Sequence, residues 1–171
     1  ELAEKINAKL CIECDVMSDD SIKNCISQIK EKIGNIDGIV HSIAFSNKEN
    51  LAGRYCSLSR EDFNLAMNAS VFSFTSIMNL AQDILNQNSS AITMTYYGAE
   101  KVIPNYNIMG VAKAALECSV KYLAKDFGAH NIRINAISSG PIRTLAASGI
   151  KDFRSVLDFV ENNSPLKKNV S

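Results

Sequence analysis

The sequence has no excess of either charge, no long apolar run and no signal peptide at its start. Eighteen Lys and Arg residues equal eighteen Asp and Glu residues, so the formal net charge is zero at pH 7. A neutral chain lacks the basic face that nucleic acid requires and the polybasic patch that attracts anionic membranes. No apolar run approaches the roughly 20 residues of a membrane span. We therefore expect a cytoplasmic protein without nucleic acid or membrane as a partner.

Cysteine is present, but in a pattern that favours neither disulfides nor a metal. The five cysteines are odd in number and irregularly spaced, as in a reduced cytosolic chain. Cys11 and Cys14 form a C-x-x-C pair inside a segment with the pattern of a strand. A redox pair requires a helix N-terminus and a zinc site requires a second ligand pair. We therefore interpret both residues as strand residues and predict no metal site.

Strand and helix patterns alternate along the chain, whose 171 residues suit one domain. We predict strands over 9–15, 36–43 (buried on both faces), 91–96 and 132–138, with a polar loop over 86–90. We predict helices after Asp19 and Asp20 as caps, from Ser59 to about Leu85, and from Asn107 to about Phe127. Such alternation indicates an α/β fold with a doubly wound parallel sheet.

Ligands of such sheets bind beyond the carboxyl ends of the strands. Polar segments follow the predicted strands there, at 15–16, 41–45, 95–98 and 139–144. Tyr106 and Lys113 open the next helix, seven residues apart, which brings them to one helical face. A cation on that face favours the phenolate and strengthens the phenol as a donor. Chance spacing remains an alternative for this pair, and His41 fits a packed strand end better than a catalyst.

The stretch from Tyr96 to Lys113 resembles the active-site region of bacterial-type, NADH-dependent enoyl-acyl-carrier-protein reductases, within the short-chain dehydrogenase/reductase superfamily. That family has two tyrosines ten residues apart and a lysine seven beyond the second, as Tyr96, Tyr106 and Lys113 are here. Most other superfamily members instead use a Tyr-x-x-x-Lys spacing. Further stretches similar to the family occur in the same order at 14–16, 41–45, 131–138 and 140–150.

The resemblance implies roles for individual residues. Tyr106 would hydrogen-bond the thioester carbonyl of the substrate, Tyr96 would lie beside the substrate as a second catalytic residue, and Lys113, counted as catalytic too, would hold the nicotinamide ribose. Ser46 occupies a position that faces the substrate. The implied cofactor-binding residues, besides Lys113, are Asp15, Val16, Ser42, Ile43, Ala44, Ile142, Arg143, Thr144, Leu145 and Ala146. Asp15 retains an alternative as a turn residue after its strand.

The implied activity is reduction of the carbon–carbon double bond of trans-2-enoyl thioesters on acyl carrier protein, the last step of the fatty-acid elongation cycle. The resemblance implies a Rossmann-like fold, NAD as cofactor with NADH favoured over NADPH, and a homotetramer. Two alternatives stay open. One is another short-chain reductase that acts on a ketoacyl thioester or a ketone, and the other is a non-catalytic assembly module.

The sequence departs from the family pattern at its ends. No G-x-G-x-x-G or related run occurs, so the first strand with its phosphate-binding turn is absent, as is the last strand. The chain starts at Glu1 without Met, in what looks like the middle of a helix. We therefore expect residues 1–171 to be the central part of one dinucleotide-binding reductase domain. Ala44 and Ser139 differ from the residues expected there, but both are small.

Overall fold

Three parallel strands form the sheet of this protein. The structure, a computed structural model, describes residues 2–142, 144, 147 and 153–170. Strand β1 (Ile36–His41) pairs with β2 (Leu85–Thr95), which pairs with β3 (Arg133–Ser138). The register sets His41 opposite Thr93, and Thr95 opposite Ser138. The carboxyl ends of all three strands therefore lie along one edge of the sheet, as the predicted α/β fold requires.

Six helices accompany the sheet in the described part of the chain. They are α1 (Leu2–Lys5), α2 (Asp19–Lys32), α3 (Arg60–Met67), α4 (Ser73–Ala81), α5 (Asn107–Gly128) and α6 (Phe153–Asn163). Short 3₁₀ turns cover Lys48–Leu51, Tyr55–Ser57, Gln82–Ile84 and Tyr97–Ala99.

The N-cap of helix α2 lies one residue before the caps predicted for it. Ser18 is the N-cap, because its Oγ accepts the Ser21 N–H at 3.2 Å. Asp19 and Asp20 instead occupy the first turn, where negative charge faces the positive end of the helix dipole. At the other end Gly34 has a φ of +87°, and its N–H donates to the Ile29 carbonyl at 3.1 Å. A left-handed conformation there costs glycine little because it has no Cβ, so Gly34 ends the helix.

The predicted long helix from Ser59 is confirmed in extent but interrupted in the middle. Ser59 caps α3, its Oγ accepting the Asp62 N–H at 3.0 Å. A single π turn, Asn68–Phe72, joins α3 to α4, and a 3₁₀ turn then ends at Ile84. π turns occur frequently beside functional sites. This one holds Ser70 fully buried and is followed directly by the equally buried Ser73.

The predicted polar loop over 86–90 lies inside β2. Ile36 faces Leu85 but Gly38 faces Ser90, so the intervening residues of β2 bulge out of the ladder. Asn88 adopts a left-handed φ of +65° within the bulge. Asn86 closes it, donating to Asp37 Oδ1 at 2.8 Å and accepting from Asn35 Nδ2 at 3.1 Å. Strand β2 is therefore longer than predicted because side chains of β1 support the irregular part.

The predicted strand over 9–15 is wrong in this structure. No described segment provides a neighbouring backbone for these residues, and a strand exists only through such pairing. The segment is held instead by Asp15, whose N–H donates to Ser21 Oγ at 2.9 Å. Cys11 and Cys14 consequently lie in irregular chain rather than in a strand.

Only one face of the sheet is covered in the described part of the chain. That face carries His41, Ala91, Thr93, Thr95 and Ile134, all buried, under α4 and α5. The core beneath it contains Val71, Phe74, Met78, Leu85, Ala112, Leu116, Val120, Leu123, Phe127 and Ile132. On the opposite face Val40 is 69% exposed and Ile137 43% exposed. The prediction that β1 is buried on both faces is therefore wrong, because no described helix packs against that side.

Candidate active site

Two tyrosines meet at the carboxyl edge of the sheet. Tyr96 follows β2 directly and Tyr106 immediately precedes α5, so the chain between them returns to the same place. Their ring centroids are 5.1 Å apart with an interplanar angle of 71°, the edge-to-face geometry that aromatic pairs prefer. Neither hydroxyl forms a hydrogen bond with the described residues. Both phenols are therefore available as donors to a bound molecule.

Burial keeps the Tyr106 phenol protonated. Tyr106 is only 9% exposed, and burial together with the neighbouring Tyr96 raises the pKa of Tyr106 well above its ordinary value. Burial raises the pKa of Tyr96 as well. The expectation that Lys113 would favour the phenolate is therefore not met, because the cost of desolvating the charged form dominates. A neutral phenol at this position is a hydrogen-bond donor across the physiological range.

Lys113 reaches the same sheet edge from α5. Its Nζ donates to the Met94 carbonyl at 2.6 Å, next to the end of β2, and the residue is 6% exposed. Burial lowers the pKa of Lys113 to about 8. The amine is thus charged at neutral pH and close to its titration point. The bond to Met94 uses one of its three N–H groups, which leaves two for a ligand.

His41 connects the strands to the helices behind this edge. Its Nε2 lies 2.9 Å from Ser73 Oγ, and its Nδ1 lies 3.0 Å from Thr93 Oγ1. Ser73 Oγ also donates to the Ala69 carbonyl at 2.8 Å, and Thr93 Oγ1 to the His41 carbonyl at 3.2 Å, so each hydroxyl has a backbone acceptor besides the ring. Burial, with a smaller contribution from the charge of Lys113, lowers the pKa of His41 to about 4. His41 is a neutral bridge, in agreement with its interpretation as a packed strand-end residue.

The segment after β1 is attached to the π turn. Ser70 Oγ accepts the Phe45 N–H at 3.1 Å and donates to the Phe45 carbonyl at 3.2 Å. The three preceding residues, Ser42, Ile43 and Ala44, are exposed along the edge. Ser46 is half-buried and donates to the Asn47 carbonyl at 3.2 Å. Phe45, whose backbone is held by Ser70, therefore lies between four of the predicted binding residues, with Ser42, Ile43 and Ala44 before it and Ser46 after it.

The remaining predicted residues fall into two groups. Asp15 is exposed beside α2, and its Oδ1 accepts the Met17 N–H at 2.9 Å, as the turn alternative requires. Val16 follows it and is half-buried. Ile142 is half-buried, and Thr144 Oγ1 accepts the Ala147 N–H at 3.1 Å. Arg143, Leu145 and Ala146 lie outside the described residues.

Several polar residues of this region were missed by sequence reasoning. They are Ser70, Ser73 and Thr93, described above, and the pair of Thr95 and Glu117, in which Thr95 Oγ1 donates to Glu117 at 2.6 Å. One signal was available, since Ser70 and Ser73 stand among the apolar residues 71, 72 and 74 of the predicted helix. For Thr93, Thr95 and Glu117 no pattern along the chain distinguishes them from surface residues.

The described residues show no metal-binding cluster and no activated thiol at Cys14. They contain no group of three His, Cys, Asp or Glu side chains that could hold a metal ion. Burial and the neighbouring Cys25 thiol raise the pKa of Cys14 to about 11, so that thiol stays protonated. None of the described helices is both long and apolar enough to cross a membrane. A cavity of about 540 Å³ opens between α2, α4 and α5, but none of the predicted site residues lines it.

The comparisons with known proteins agree on one family. A family model described as Enoyl-(Acyl carrier protein) reductase matches residues 1–171. Enoyl-[acyl-carrier-protein] reductase [NADH] 1 of Rhizobium meliloti is 54% identical over 170 residues, which cover 99% of this chain and 62% of that protein. The Bacillus subtilis relative with the same NADH designation is 50% identical over 162 residues, covering 95% of this chain and 63% of its own length.

Solved structures are similar over nearly the whole chain. The Bacillus cereus enoyl-acyl carrier protein reductase, solved with NADP+ and an indole naphthyridinone, has a TM-score of 0.94 and 46% identity. The alignment covers 98% of this chain and 66% of that one. The Anaplasma phagocytophilum reductase, solved with NAD, has a TM-score of 0.92 and 45% identity, covering 99% and 63%.

The chain spans just under two thirds of the length of each of these proteins. Within that span the order of the elements and the parallel sheet match those of the solved structures, which confirms the predicted α/β fold. The spacing of Tyr96, Tyr106 and Lys113, the fold and the match of the family model lead to one conclusion: the chain belongs to the enoyl-(acyl carrier protein) reductase family.

Proposed function

We propose that the protein reduces the carbon–carbon double bond of enoyl thioesters on acyl carrier protein, with NADH as the reductant. The observation that carries this proposal is a buried, protonated Tyr106 phenol at the carboxyl edge of the sheet, beside Tyr96. The relatives named above are designated as NADH-dependent reductases of this class. The chain forms the central part of a single reductase domain in this proposal.

The residues present fit a nicotinamide dinucleotide. The charged Lys113 amine has two N–H groups left for ribose hydroxyls, next to the end of β2. Ser42, Ile43 and Ala44 are exposed along the same edge, where a cofactor could lie against them. Asp15 and Val16 would meet the adenine, and Ile142 with residues 143–146 the nicotinamide end. When bound, NADH supplies the hydride that the reaction consumes.

The phenol of Tyr106 stabilises the charge that develops during reduction. Addition of hydride to the β-carbon moves negative charge onto the thioester oxygen, and a donor aimed at that oxygen stabilises the transition state more than the ground state. Because burial raises the pKa of Tyr106, the phenol donates a hydrogen bond without losing its proton. A proton from solvent then adds to the α-carbon and completes the saturated thioester.

Tyr96 and Ser46 define the substrate side of the site. Tyr96 packs its ring against Tyr106 and keeps water from one side of the phenol. Ser46 is half-buried at the end of the segment that Ser70 holds. The acyl chain of the substrate would pass between these residues, with its carbonyl directed to the Tyr106 hydroxyl.

A homotetramer is the proposed assembly. Helix α5 presents outward-facing residues at 111, 118 and 122, of which Val111 is 38% exposed and Tyr122 69% exposed. Phe72 on the neighbouring π turn is 51% exposed. Apolar side chains gathered in this way mark interfaces, and closed symmetry would pair the same surface on two copies. Sedimentation of the full-length protein as a monomer at micromolar concentration would contradict this assembly.

The activity is tested with the full-length protein and two substrates. We expect NADH oxidation with a trans-2-enoyl thioester of acyl carrier protein and no turnover of the matching 3-ketoacyl thioester. Turnover of the ketoacyl thioester alone would identify another short-chain reductase. Failure to bind NADH at all would identify a non-catalytic assembly module.

A further inference from the structure

Gly98 lies directly against the ring of Tyr106. A Cβ atom built on Gly98 would be 2.5 Å from Cδ1 and 2.8 Å from Cε1 of Tyr106, and 3.4 Å from Cδ1 of Tyr96. Real Cβ atoms essentially never approach heavy atoms within 3.0 Å. Any side chain at residue 98 would therefore displace the Tyr106 ring from its present position, in which it also packs against Tyr96.

Gly110 supports the same contact from α5. Its Cβ would be 2.9 Å from the Gly98 carbonyl oxygen and 3.8 Å from Cδ1 of Tyr106. Gly110 belongs to the first turn of the helix, where its N–H donates to the Tyr106 carbonyl at 3.3 Å. The backbone at Gly98 can therefore approach α5 closely only because residue 110 has no side chain.

Backbone conformation does not explain either glycine. The described glycines with positive φ are Gly34 and Gly53, and neither Gly98 nor Gly110 is among them. Other residues could also adopt the negative φ of Gly98 and Gly110. The property that matters at these two positions is therefore the absence of a Cβ atom, which permits the close contacts. Gly128, at the end of the same helix, has no atom within 4 Å of its would-be Cβ.

We propose that Gly98 and Gly110 are positioning residues that seat the Tyr106 ring and thereby fix where its hydroxyl meets the substrate carbonyl. This inference rests on the proposed function of Tyr106 as the donor. The ring contacts both the backbone of Gly98 and the ring of Tyr96, so two neighbours set its direction. Displacement of a catalytic group by about 1 Å can cost roughly a hundredfold in rate.

Gly98→Ala tests this positioning role in the full-length protein. We expect kcat for enoyl reduction to fall about a hundredfold while the NADH dissociation constant changes less than about twofold. Gly110→Ala should act in the same direction, because it pushes the Gly98 carbonyl toward the ring. Gly128→Ala is the matched control with the same change in unfolded-chain entropy, and its activity should equal that of the wild type.

A double-mutant cycle distinguishes misplacement of the Tyr106 hydroxyl from general damage to the fold. Without the hydroxyl there is nothing to misplace, so Gly98→Ala should lower kcat less than about twofold in a Tyr106→Phe background. Equal losses in both backgrounds, or wild-type kcat in Gly98→Ala, would overturn the proposal. Full activity of Tyr106→Phe itself would instead overturn the donor role, which distinguishes the two failures.

Thermal unfolding tests the same proposal even if the Gly98→Ala protein folds poorly. The clash is with the Tyr106 ring, so removing the ring should relieve it. We expect Gly98→Ala to lower the Tm when Tyr106 is present and to have little effect on Tyr106→Ala. An equal drop in Tm in both backgrounds would show that Gly98 is required for some other reason. That result would overturn the proposal that Gly98 positions the Tyr106 ring.

Discussion

Ser70 binds both backbone groups of a single residue, Phe45: its hydroxyl accepts the Phe45 N–H at 3.1 Å and donates to the Phe45 carbonyl at 3.2 Å. A side chain here substitutes for the neighbouring strand that residue 45 lacks. Because Ser70 sits on the π turn and is fully buried, the segment from Ser42 to Ser46 is attached to the helix rather than to the sheet.

Ser70→Ala should release this segment. Phe45 is exposed, so water can replace the lost partners, and we expect a loss of about 1 kcal/mol in the free energy of unfolding. Hydrogen exchange at the Phe45 amide should accelerate, and NADH should bind more weakly if Ser42 to Ala44 contact it. Ser119→Ala is the control, since Ser119 donates only to a carbonyl of its own helix at 2.9 Å. Unchanged exchange at Phe45 would contradict the attachment.

Tyr106→Phe should lower kcat while leaving NADH affinity nearly intact. Removing one donor of this kind typically costs about 10²–10³ in rate. The loss would be smaller if Tyr96 or water took over as donor. Single-turnover enoyl reduction and NADH titration measure the two quantities separately. Tyr97→Phe is the control, because it removes the hydroxyl of a neighbouring, half-exposed tyrosine that is not part of the pair. Weaker NADH binding with an unchanged chemical step would refute the assigned role.

Lys113→Ala should weaken both NADH binding and turnover, because the ribose contact is lost with the charge. Lys121→Ala, which removes an exposed lysine from the same helix, should do neither. Lys113→Arg should bind NADH better than Lys113→Ala, although the shape of the guanidinium differs.

The pKa of Lys113 also predicts how NADH affinity depends on pH. Burial lowers the pKa of the free protein's Lys113 to about 8, so the amine loses its charge as the pH rises through that value. NADH affinity should therefore fall between about pH 7 and pH 9 in the wild type. Lys113→Arg stays charged and should show a flatter profile over the same range. An identical fall in both proteins would assign the titration to another group.

His41 should make the fold sensitive to acid. Burial lowers its pKa from 6.5 to about 4, so below about pH 6.5 the unfolded chain binds a proton that the folded chain does not. The free energy of unfolding should thus decline as the pH falls from about 6.5 to 4, by up to about 3 kcal/mol from this residue. Urea unfolding across this range measures the slope. His41→Gln should flatten it relative to the wild type, whereas His130→Gln, at an exposed position, should not.

The sequence could predict those features whose determinants are local. Helix α5 and the joint placement of Tyr106 and Lys113 follow from the helical period. The strand over 9–15 could not be judged in this way, because a strand depends on a neighbour elsewhere in the chain. Local pattern is enough for a helix and insufficient for an edge of a sheet.

The supporting residues of the site depend on tertiary contacts and were therefore missed. Ser73 and Thr93 are separated by 20 residues, and only the folded structure brings both to His41. Gly98 gives no signal, because its φ is ordinary and the ring that requires its small size belongs to residue 106. Spacing along the chain thus predicted the residues proposed to bind the ligand. The residues that position them became visible only from contact distances in the folded structure.

The uncovered side of the sheet has a practical consequence for handling these 171 residues by themselves. Val40 is in register with Ile92, and Met94 with Ile137, so four apolar side chains form two adjacent rows on one side. Burial of such rows away from water is favourable, so they promote association with other apolar surfaces. We expect the isolated polypeptide to enhance the fluorescence of an apolar dye and to precipitate on concentration. Val40→Lys, which plants a charge in the middle of that side, should improve its solubility without reaching Tyr106.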